Sequence, residues 1–231
     1  MRKTVVMLGV ILLIGACGPK GDPGAAGPSG AGSFAVINFE HAVFPSTSYT
    51  GVYDTCITPD SPAGNYGDCT SFIVGAGYRG LLWFDLDGYV TGNITVKRAD
   101  LTLYCYSKTA GDTIVAAYKM LASWTEGNDC IDTSTAGVTW NTRNGTTSWT
   151  AGGPHDTAAS SEAKTVAETG YFTIQLNPAL VQGWIDAPDS NYGILLKSSN
   201  ESPVSSYINM YTNEAGTPCN KPRLTLHYTI E

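Results

Sequence analysis

Positive charge is scarce in this chain of 231 residues: Lys and Arg number 13 against 20 Asp and Glu, a formal net charge of −7. So acidic a balance argues against binding nucleic acid through its phosphates, which takes clustered cations. Histidine is scarcer still, with only His41, His155 and His227, none in a metal or triad motif. No GxSxG, HExxH or glycine-rich phosphate loop occurs. No two cysteines have CxxC spacing, which counts against zinc. The expectation is a protein that is not an enzyme. Paired carboxylates for glycoside hydrolysis are the open exception, because they are recognised by distance in space and not by spacing in sequence. Against them, Asp and Glu fall mostly in turn-like segments such as "EGNDCID" and "APDSN". Long apolar runs are also missing: residues 5–14 are too few to cross a bilayer.

What that short run does suit is a signal-peptide core, since Arg2 and Lys3 precede it and Ile14-Gly15-Ala16-Cys17 follows. The order resembles the lipobox of bacterial lipoproteins. That resemblance implies a leader over residues 1–16, lipid on Cys17, and an exported protein held at the outer membrane or cell surface through its anchor. Loss of the leader removes Arg2 and Lys3 and moves the charge from −7 to −9. Residues 17–33 then form a collagen-like stalk, in which glycines 18, 21, 24, 27 and 30 keep a period of three. Only glycine fits the axis of three wound polyproline-like strands. Two readings stay open here, a stiff spacer and a homotrimer stalk.

Residues 34–231 are rich in Gly, Thr, Ser, Tyr and Val and low in charge, which favours strands and turns. Alternating segments read as strands: "AVINFEHAV", "TSFIVGA", "GLLWFDL", "ADLTLYCYS", "TIVAAYKM", "GYFTIQL", "YGILLKS", "SYINMYT" and "RLTLHYTI". The prediction is an all-β fold, an antiparallel β-sandwich or jelly roll. One short helix is expected at "NPALVQGWI", capped by Asn177 with Pro178 in its first turn. Residues 144–168 lack periodicity and read as a long loop. In "LLWFDL", Leu82 and Phe84 should face one side, and Leu81, Trp83 and Asp85 the other. Leu103 and Trp184 belong with the expected dry interior, and Trp124 and Trp140 should cover its end.

An exported protein is expected to pair its cysteines. Cys56 and Cys69 flank a turn-rich loop and form the first expected disulfide. Cys130 and Cys219 form the second, and Cys105 is expected as a buried free thiol.

The series "YTGVYDTCITPDSPAGNYG", "YRGLLWFDLDG", "ADLTLYCYS", "SWTEGND…GVTWN", "FTIQLNPALVQGWI", "NYGILLKSSNES" and "YTNEAG…KPRLTLHYT" resembles the DNRLRE, or disaggregatase-related, domain family. The resemblance runs from about Val36 to Ile230. It implies a non-catalytic β-jelly-roll module of the carbohydrate-binding type, found on surface proteins. The family usually carries a basic or polar residue where this chain has Trp83.

A glycan partner calls for exposed aromatic faces. Trp149, in the long polar loop, is the expected exposed aromatic, and Trp83 with Tyr104 and Tyr106 would make one patch if their strands are neighbours. Such a patch equally fits an interface between copies. Asp54, Asp60 and Asp68 are candidate ligands for a structural Ca²⁺, with local turn hydrogen bonding as the competing reading. No other cofactor is indicated. Two functions follow: a surface-anchored lipoprotein that adheres to polysaccharide, or a structural subunit of an extracellular filament or matrix. In the second, "SFAVINFEHAVF" would pair with a neighbour's sheet edge to build a homopolymer.

Overall fold

The computed structural model describes residues 33–131, 136–202 and 204–231. The leader, Cys17 and the Gly-X-Y triplets up to residue 32 lie outside the described residues.

Among the described residues, eleven strands and one α-helix follow in the order β1 (Ser33–Phe39), β2 (Val52–Ile57), β3 (Ser71–Gly75), β4 (Arg79–Phe84), β5 (Ile94–Lys108), β6 (Thr113–Lys119), β7 (Lys164–Val166), β8 (Gly170–Leu176), α1 (Pro178–Asp186), β9 (Ile194–Ser198), β10 (Tyr207–Tyr211) and β11 (Arg223–Ile230). They make two antiparallel sheets, one ordered β1-β11-β5-β10-β3 with β8 joined to β5, the other β2-β4-β9-β6-β7. The all-β sandwich expected from alternation is what forms.

Alternation works because successive side chains on a strand point to opposite faces. Leu101, Leu103 and Cys105 of β5 therefore meet Leu82 and Phe84 of β4 across a shared dry interior. Trp184 lies in the same cluster, carried there by α1. The Asn177 side chain accepts from the Ala179 amide at 3.0 Å, satisfying one of the helix's orphan donors. Strand β5 is the spine: β11 and β10 pair along it in turn, and β8 takes the other edge.

Some elements differ from expectation. β2 has an acid, Asp54, at an inward position, which hides its alternation. "AVINFEHAV" is extended only to Phe39, after which a turn holds Glu40 to Phe44. The loop over 144–168 contains β7 at its end, where three residues pair with β6.

The disulfide pairing is corrected. Cys69 bonds Cys130, 61 residues away, so neither Cys56–Cys69 nor Cys130–Cys219 forms. The cause is strand direction: Cys56 points from β2 into the sandwich core and is a buried thiol, pushed up to about 12 by burial. Cys105 is the buried thiol expected.

Glu40, just after β1, is 2% exposed, with Arg223 3.9 Å away and Oε1 without a partner. Burial raises its carboxyl to about 7, against the opposing pull of Arg223 and then Lys221. The folded state therefore keeps a proton that an unfolded chain releases near the ordinary value of 4.5, and stability falls as pH climbs from 4.5 to 7. Glu40→Gln mimics the protonated side chain. It should match the wild type at pH 4 and exceed it by about 2–3 kcal/mol at pH 8, as read from urea midpoints. Equal midpoints at both pH values would remove this account.

Candidate ligand-binding cleft and acidic cluster

The outer face of the β2-β4-β9-β6-β7 sheet is not left to solvent. Ile57, Leu81 and Leu195 project from it and form a second apolar cluster with Met120 and Val138. Trp124, Trp140 and Trp149 pack on that cluster. The long connection between β6 and β7 thus folds back as a cover, because the sheet offers it apolar area to bury. Trp124 and Trp140 cover a sheet face and not the end of the interior. Trp149 is corrected too: it is half-buried, and its indole N–H donates to the Trp140 carbonyl at 3.1 Å. Reading that connection as open loop missed the face beneath it.

Where the cover leaves the sheet, a cavity of about 470 Å³ opens between Tyr53 of β2, Trp83 of β4 and the segment Trp124 to Asn128. Tyr53 and Trp83 stack with ring centroids 4.8 Å apart and planes 24° from parallel. The Trp83 indole N–H is buried and has no hydrogen-bond partner among the described residues. An unpaired buried donor of this kind is costly unless a ligand or water meets it.

Trp83 is not beside Tyr104 and Tyr106, as one patch requires: β4 and β5 belong to different sheets. The two tyrosines lie instead in a row with Tyr171 and Tyr211 on the other sheet. Tyr211 stacks on Tyr104 at 5.8 Å and on Tyr106 at 4.7 Å, so these rings spend faces on one another. Tyr66, in the connection between β2 and β3, is buried.

The covering segment is held by Asn65, itself wholly buried. Its Nδ2 donates to the carbonyls of Glu126 at 2.8 Å and Val138 at 3.1 Å, and its Oδ1 accepts from the Gly67 amide at 3.3 Å. Two positions around it must be glycine. Gly127 (φ +92°) and Gly137 (φ +118°) lie in the left-handed region, and a Cβ on either would strike the Asn65 amide. The Cys69–Cys130 bond ties the same segment to the start of β3.

This clasp delivers Glu126 to the free edge of β2, where its Oε1 accepts from the Asp54 amide at 2.5 Å and from Asn213 Nδ2 at 3.3 Å. Asp54, Glu126 and Glu214 each bring a carboxylate oxygen within 4.8 Å of the others. Burial, then the neighbouring acids Glu214 and Glu126, raises Asp54 well above the usual carboxylate range. Burial pushes Glu126 up to about 8 and raises Glu214 as well. Of the three acids singled out in sequence, Asp54 alone joins this cluster. Asp60 and Asp68 are exposed, Asp68 acting on Glu126 and Glu214 only through its charge. Glu126 and Glu214 were missed because 88 positions separate them and nothing in their spacing links them.

The fold and site define a two-sheet β-sandwich with an aromatic cleft on one outer face. The model of the disaggregatase related repeat domain matches residues 60–226, and the chain belongs to that family. No curated protein matches it.

Proposed function

We propose that this protein is a surface-anchored, non-catalytic lipoprotein whose β-sandwich binds polysaccharide in the cleft formed by Tyr53, Trp83 and Trp124. The stacked Tyr53–Trp83 wall, in a cavity that it shares with polar groups, carries the reading. Sugars present C–H faces to aromatic rings and hydroxyls to polar groups, and here Thr125, Glu126 and Asn128 line the same cavity as the rings. Its volume lies in the range of small-molecule sites, enough for one or two sugar rings. Glycoside hydrolysis takes two carboxylates flanking the scissile bond. Glu126 lines the cleft, whereas Asp54 is wholly buried behind it, which supports binding over turnover. Lipid on Cys17 would set the location, with the Gly-X-Y segment as spacer or trimer stalk.

The test is affinity electrophoresis of the full chain against a panel of acidic and neutral polysaccharides. Trp83→Ala should weaken retention tenfold or more, equivalent to about 1.4 kcal/mol, while Tyr106→Ala leaves it unchanged. Retention by Trp83→Ala equal to wild type, in a protein with an unaltered melting curve, would remove the cleft from consideration.

The second reading, a filament or matrix subunit, is favoured by one observation. Strand β1 is an edge strand, paired on one side by β11, and its Phe34 and Val36 are exposed. Concentration-dependent polymers without glycan retention would select it.

A further inference from the structure

We propose that Asp54, Glu126 and Glu214 bind a Ca²⁺ ion that joins β2, the β6–β7 connection and the turn after β10. Three acids together are not a site in themselves, and the pointer here is a pair of abandoned oxygens. Asp54 is fully buried, and its Oδ2 accepts from the Asn213 amide at 2.9 Å while its Oδ1 meets no donor among the described residues. Glu214 Oε2 is likewise buried without a donor. A buried carboxylate oxygen within a group of three acids, with no N–H or O–H to accept from, needs a cation or a proton beside it.

The donor set selects the class of ion. It is all oxygen, with neither His nor Cys, which suits a hard cation. Ca²⁺ bonds oxygen at about 2.3–2.6 Å, so two of its ligands stand up to about 5 Å apart, whereas Mg²⁺ spans only about 4 Å. A group of oxygens within 4.8 Å of one another falls inside the span of the larger ion. The three acids come from segments far apart in the chain, so an ion bound here would exist only in the folded protein and would stabilise it by mass action.

The experiment uses the full chain stripped of metal with a chelator and titrated with CaCl₂, followed by calorimetry and thermal melting. The expected result is one Ca²⁺ per chain and a melting temperature raised by about 5–11 °C at a hundredfold excess over Kd, with MgCl₂ giving the smaller shift. Glu214→Gln, at a half-buried position, should keep the fold and lose most of the Ca²⁺ shift; Asp54→Asn should lose it entirely. No binding heat and no shift with the wild type at millimolar Ca²⁺ would overturn the proposal. So would a Ca²⁺ shift that survives in both variants. Neither readout involves a glycan, so failure here leaves the cleft's own test standing.

Discussion

Removing the Cys69–Cys130 disulfide by changing both residues to alanine should lower stability by about 4 kcal/mol. The bond closes a loop between residues 61 apart, and the chain-entropy model assigns a loop of that length roughly this much. The loss should appear as a lower urea midpoint with the sandwich still formed at low denaturant, because both sheets keep their pairing. Function should suffer beyond stability. The bond anchors the segment that carries Trp124 and Glu126, with Asn65 as the second attachment. With one attachment gone, the wall of the cleft opposite Trp83 loosens, and under the proposed function polysaccharide retention should fall even where the protein is fully folded. A double variant with wild-type stability and wild-type retention would show that the hydrogen bonds of Asn65 and Glu126 and the packing of Trp124 hold this wall without the bond. Variants are better here than a reducing agent, which would act on every disulfide at once.

Phe72→Ala should cost about 3–5 kcal/mol, the range for truncating a fully buried aromatic. Phe72 is 0% exposed on β3, and its ring lies so close over β4 that a Cβ on Gly80 would come within 2.7 Å of it. The glycine makes room for the ring, and the ring fills the space between the sheets beside Val74. Truncation leaves a cavity bounded by paired backbone, which cannot collapse inward. The melting temperature should fall by roughly 6–20 °C. A drop worth less than 1 kcal/mol would mean that the sheets close over the gap.

The sandwich was legible because its strands alternate. Leu101, Leu103 and Cys105 announce a buried face wherever their strand ends up, and Asn177-Pro178 announces a helix start. What alternation does not carry is partnership between strands. Trp83 and Tyr104 both face away from the interior, yet they belong to opposite sheets. The same limit undid the expected disulfides: Cys56 and Cys69 are close in sequence, but inward-facing Cys56 is committed to the core. Trp149 looked exposed because polarity in a loop says nothing about the apolar face beneath it. The acidic cluster was the least visible feature, since its members come from three unrelated segments and share no motif.

The antiparallel register of β1 with β11 has a mechanical consequence. Residue 33 pairs with residue 230, and the ladder continues to Phe39 with Leu224. Tension drawn along β1 from its first residue, and resisted by the rest of the body, would load the seven rungs of that ladder together instead of peeling them off singly. Rupture would then need many hydrogen bonds to fail at once, the geometry in which a short strand holds best against flow.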